Sequence, residues 1–161
     1  MTARDPLAAL LLEIDLEAMH VKQMVSLLEE EQRELIAGRV DQLESLAAEK
    51  LVQSRALDLY AGRRGAFLQA QGFGADARGL AACAAAAGAR GQELREAWAR
   101  VAEAAAEARH LNEQNGALIR MRLASVDGRL AHLEAAVGGT TVYTAEGRAS
   151  GLPPQRAFGQ V

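Results

Sequence analysis

The sequence predicts an all-α protein: an antiparallel bundle or coiled coil of three long helices, with a short extra helix and a flexible C-terminal tail. Three observations carry this. Apolar residues recur at alternating steps of three and four over long stretches, which lines one face of an α-helix. Only 3 of 161 residues are proline, and none interrupts those stretches. Half the residues are apolar but only 4 % are aromatic. The surplus is alanine and leucine, a composition for helices packed closely through small side chains. Residues 1–138 are expected to form the helical domain and 139–161 the tail.

Asp5–Pro6 starts the first helix, since proline suits the first turn and aspartate beside it can cap. Leu7, Ile14, Val21, Leu28 and Leu35 then repeat at heptad spacing, with Leu11, Ala18, Val25 and Gln32 as a companion row. Such a helix buries a narrow stripe against another long helix. Glu13, Glu29, Glu30 and Glu34 are expected on its solvated face. Gly38 ends it.

Asp41, with Glu44 three residues on, has capping-box spacing and predicts the start of the second helix. The short connection makes an antiparallel hairpin. The second stripe runs through Leu43, Leu46, Ala47, Leu57, Ala61 and Leu68, and is interrupted midway by Lys50 and Ser54. Gly72-Phe73-Gly74 breaks the pattern. No strand precedes it, so it reads as a loop and not as a nucleotide-binding turn. Asp76 caps a short alanine-rich helix from Ala77 to Ala87, ended by Gly88 and Gly91.

The longest element runs from Leu94 to Val137. Its face carries Leu94, Trp98, Val101, Ala105 and Ala108, then Ile119, Val126, Leu130, Leu133 and Val137. At about 1.5 Å rise per residue it is roughly 65 Å long, so its partners must be long helices too. Asn112 and Asn115 fall where this stripe calls for apolar side chains. Aligning Leu94 with Leu68 sets Asn112 level with Lys50, so the two interrupted stripes meet. Asn112, Asn115, Lys50 and Ser54 are therefore expected to form a buried polar layer that fixes register. The same alignment leaves the C-terminal part of the stripe, Val126, Leu130 and Leu133, without a partner in the hairpin. Such a stripe is a binding site or a dimer contact.

Net charge is −3, and no basic patch with interleaved aromatics occurs, which argues against nucleic acid as a partner. The single cysteine, Cys83, has no internal disulfide partner and reads as a small apolar filler. The run Leu7–Leu12 is cut by Glu13 and Asp15 and does not read as a secretory signal. No stretch is apolar enough for a membrane span. A soluble, cytoplasmic protein is expected. Glu17–His20 and Glu107–His110 are both Glu-x-x-His pairs, a spacing that di-iron bundles use. The second pair lies off the stripe and a fourth long helix is missing, so no metal or cofactor is expected. His132 stands alone. Nothing resembles an activated serine or a paired acid–base site, and no catalytic residue is assigned.

Several segments resemble the FlgN family of flagellar export chaperones: Leu27-Leu28-Glu29-Glu30-Glu31-Gln32, Leu43 through Lys50, and above all Asn112-Glu113-Gln114-Asn115-Gly116-Ala117-Leu118-Ile119. The tail Thr141-Val142-Tyr143-Thr144-Ala145-Glu146-Gly147-Arg148 is similar to the family's Tyr-x-x-x-Gly ending. The similarity covers roughly residues 7–148, and Gly72–Arg90 contributes nothing to it. The resemblance implies a cytoplasmic, non-enzymatic chaperone. Such a protein binds hook-associated (hook–filament junction) proteins and delivers them to the gate and ATPase components of the flagellar type III export apparatus. It implies client binding through the end of the long helix and the tail beyond it, making Val126, Leu130, Leu133, Val137 and Tyr143 the candidate client contacts. A terminal amphipathic helix of the client is the expected ligand, and self-association through the same stripe is an alternative when no client is bound. The competing readings are a generic coiled-coil adaptor and a di-iron enzyme.

Overall fold

The computed structural model describes residues 5–137, and these are helical almost throughout, with no strand among them. Four α-helices follow in order: α1 Pro6–Ala37, α2 Leu43–Ala70, α3 Ala77–Ala86 and α4 Gly91–Val137, with one 3₁₀ turn, Gly88–Arg90, before α4. Two compact units divide at Ile119 and Arg120, and α4 contributes to both.

Local chemistry sets the ends of α1. The Asp5 carboxylate accepts from the Leu7 amide at 3.0 Å and Pro6 opens the first turn. Gly38 takes φ 75°, a left-handed conformation that glycine adopts without a Cβ penalty. Its N–H and that of Arg39 then return to the carbonyls of Leu35 and Glu34, satisfying the end of the helix. The start of α2 differs from the capping-box expectation. The helix begins at Leu43, Gln42 precedes it in helical geometry, and no side chain caps it. Backbone bonds Leu43 N–H to Val40 O and Leu46 N–H to Gln42 O wind this turn instead. Asp76 caps α3 by accepting from Gly79 N–H at 2.9 Å. Gly88, at φ 59°, ends that segment, but Gly91 does not. It opens α4, where a Cβ would overlap the Ala84 carbonyl. Glycine there lets the two helices meet.

Within the unit up to Ile119, α1 is the central helix. It runs antiparallel to α2, with Glu13 paired to Arg63, Glu17 to Arg64, His20 to Gln53 and Glu31 to Lys50. It runs parallel to α4, with Asp5 paired to Arg90, Asp15 to Arg100 and Gln32 to Gln114. Ile14, Leu68 and Leu94 are fully buried in one cluster with Leu10, Val21, Leu80 and Val101. The levelling of Leu68 with Leu94 thus appears in the core. Each such leucine contributes on the order of 1.5–3 kcal/mol on leaving water.

Because α1 is flanked by two long helices, it buries more than a narrow stripe. Glu17, Glu31 and Glu34 are all buried, so the acidic side of α1 is not uniformly solvated as expected. Glu29 is exposed, Glu13 and Glu30 are half-buried, and Glu34 is held by a bidentate pair with Arg39 at 2.6 and 2.7 Å.

Candidate functional site

Two places answer to the candidate residues. The first is a polar layer across α1, α2 and α4. Asn115 is 1 % exposed. Its side-chain amide donates to the Leu28 carbonyl at 2.8 Å and to Glu31 Oε2 at 2.9 Å. Glu31 Oε1 accepts from Lys50 Nζ at 2.6 Å. One carboxylate therefore bridges a neutral donor on α4 and a cation on α2. Bonds to an ionised acceptor are roughly twice as strong as neutral ones. Asn112 and Ser54 stand outside this layer and are exposed. Both line a groove with Lys50 and Leu51. The expected four-residue layer is corrected accordingly: Asn115 and Lys50 belong to it, and they meet through Glu31.

Glu31 was missed because the heptad reading of α1 followed rows that exclude it. A signal was present. Leu10, Glu17, Met24 and Glu31 form another heptad row, and its two glutamates pair with cations of α2.

A second polar contact closes the same unit nearer the start of α4. Glu17 lies 3.3 Å from Arg64, whose guanidinium stacks over Trp98 at 4.5 Å from the ring centroid. Burial pushes the Glu17 carboxyl above the ordinary range, and the Arg64 charge partly offsets this. His20 bonds Gln53 at 2.8 Å and stacks on Tyr60 at 5.2 Å. The Glu-x-x-His pairs are thus engaged separately: Glu17 and His20 turn to α2, while Glu107 and His110 are exposed on α4. Among the described residues, no three His, Cys, Asp or Glu side chains gather as a metal site. Cys83 is buried in the core, where desolvation pushes its thiol up.

The second place is the C-terminal stretch of α4. Asn115 is the last buried residue of that helix. Every residue from Ile119 to Val137 is exposed, His132 among them. Val126 and Leu130 are each 51 % exposed, Leu133 60 % and Val137 63 %. Their three- and four-residue spacing places these four on one side of the helix. Met121 and Leu123 add further exposed apolar surface. Tyr143, and with it Val142, Leu152 and Phe158, lies outside the described residues. No helix among the described residues is long and apolar enough to cross a membrane.

A sequence profile of the FlgN protein family matches residues 6–151. No curated protein matches the chain in sequence. Among solved structures, the chain is similar to the crystal structure of a Pseudomonas aeruginosa protein assigned to flagella synthesis as FlgN. The TM-score is 0.62 at 25 % identity, over 74 % of this chain and 90 % of that one.

Proposed function

This protein belongs to the FlgN family, and from that membership we propose that it is a cytoplasmic, non-enzymatic chaperone of flagellar export. Its clients are hook-associated (hook–filament junction) proteins, and it delivers them to the gate and ATPase components of the flagellar type III export apparatus. The observation that carries the client site is the row Val126, Leu130, Leu133 and Val137. These are large apolar side chains left half or more in water on one side of a helix. Their spacing matches the i, i+4, i+7 anchors by which an amphipathic helix is gripped. Tyr143 extends this candidate site in sequence.

Exposed apolar stripes of this kind are costly alone and stabilising once covered, as a holding chaperone requires. A terminal amphipathic helix of the client supplies the cover. The experiment is calorimetric titration of the purified chain with a hook–filament junction protein from the same host, and with its terminal helices as separate peptides. Saturable binding by the full client and by one terminal helix supports the reading. No heat or complex at client concentrations of about 100 μM rejects it.

A further inference from the structure

A groove runs between α2 and α4, with α1 as its floor. Two adjoining cavities make it up, of about 460 Å³ and about 400 Å³, and Arg109 stands in the wall of both. Val21 and Leu28 of α1 close the floor, and buried Val101 lines the foot of the α4 wall. Ala102, Ala105 and Ala108 leave the middle of the α4 wall low between Trp98 and Asn112, so a visiting helix can approach there at the 8–10 Å typical of helix pairs. From Trp98 to Asn112 the groove is about 21 Å long, enough for about four helical turns.

The short helix α3 shows what this space accommodates. Ala77, Leu80 and Ala84 face Leu94 and Trp98, and Ala84 abuts Gly91. Ala75 meets Gly65, one residue from the Arg64 that stacks on Trp98. So α3 runs antiparallel to α4 and starts near the level of Trp98. It occupies the place of a fourth bundle helix at one end only, and the groove continues its line.

The walls also carry a specific charge layout. Their ionisable side chains are Glu17, Lys50, Asp58 and Arg109. Glu17 is paired with Arg64 and Lys50 with Glu31. Asp58 on α2 and Arg109 on α4 are exposed and take part in no ion pair among the described residues. The groove therefore offers an apolar floor, one uncompensated carboxylate on one wall and one uncompensated guanidinium on the other.

We propose that this groove is the docking site for one amphipathic helix of a partner protein, about four turns long, carrying a basic side chain against Asp58 and an acidic one against Arg109. This surface is separate from the Val126–Val137 stripe, and the proposal stands or falls independently of the client reading. A docked helix completes a four-helix arrangement and covers Leu51, which is 52 % exposed.

The test uses the full chain and a fluorescein-labelled designed helix of about sixteen residues, with leucines at i, i+3, i+4 and i+7 spacing, one flanking lysine and one flanking glutamate. Fluorescence anisotropy reads its binding, and circular dichroism checks the fold of each variant. Ala102→Arg, at an exposed position in the groove wall, is expected to weaken binding at least tenfold; Ala61→Arg repeats the block from α2. Asp58→Lys is expected to weaken it about threefold, with recovery when the peptide lysine is changed to glutamate. The proposal is overturned if the wild-type chain binds no peptide at about 1 mM, or if both arginine variants bind normally. It is also overturned if sedimentation shows a wild-type dimer that the arginine variants dissociate, because a second copy is then the occupant.

Discussion

Asn115 of α4 and Glu31 of α1, both buried, are joined amide to carboxylate at 2.9 Å. The same carboxylate holds Lys50 of α2 at 2.6 Å, so three helices are tied through one side chain. A register slip of one helical turn in any of them breaks a charge-assisted bond in the interior. Such a layer is a device for alignment more than for raw stability.

Changing Asn115 alone to leucine strands one buried Glu31 oxygen and removes the second bond to the Leu28 carbonyl, which keeps its place in the α1 ladder. A loss of about 1–3 kcal/mol is expected in urea unfolding. Adding Glu31→Leu removes the orphaned acceptor and lets Lys50, 21 % exposed at its side chain, swing to water. The double variant should recover stability relative to Asn115→Leu while risking register or oligomeric state. Strict additivity of the two single changes would mean that the pair is not coupled.

Two carboxyls should give opposite pH signatures. Burial raises the folded-state Glu17 carboxyl above its ordinary value, so its contribution to stability is present in acid and lost as pH rises through the folded value. For Glu34, the hydrogen bond from Arg39 holds the carboxyl below its ordinary value. Its contribution is present above the unfolded value and lost as pH falls through the folded one. Glu17→Gln should therefore reduce the stability decline above about pH 4.5, and Glu34→Gln the decline below it. Melting curves from pH 3 to 8 decide this; unchanged slopes in both variants count against it.

Leu130→Asp with Leu133→Asp alters two residues that are 51 % and 60 % exposed. The helical circular dichroism signal and melting temperature should stay close to wild type. Each buried leucine is worth about 1.5–3 kcal/mol, so client affinity should fall by well over tenfold. Normal client binding by the folded variant would move the site elsewhere, and global unfolding would show that these residues are core.

Cys83 sits in the core at 6 % exposure, with its thiol pushed up by burial. A thiol-reactive dye at neutral pH should label the native protein at least a hundredfold more slowly than protein in about 6 M guanidinium chloride. Fast labelling of the native state would indicate that α3 opens readily from the bundle.

The sequence alone was enough for the helical class, for α1 from Asp5–Pro6 to Gly38, and for the Asp76-capped start of α3. Caps and heptads are local chemistry: the residues that end a helix adjoin it in the chain. The levelling of α2 and α4 was also legible from pairing Leu68 with Leu94, which share one core cluster, although the two polar gaps meet only through Glu31 of α1. What the tertiary structure alone decided was the face of α1 turned to its second neighbour. A heptad row identifies a stripe for one partner, whereas α1 lies between two. Glu17 and Glu31, placed on the added row, are buried, and Glu31 takes the bridging place that Asn112 and Ser54 do not fill. Gly91 shows the same limit, since glycine marks both a helix end and a close approach. Only the Ala84 carbonyl beside it, supplied by another helix, shows that here it opens α4.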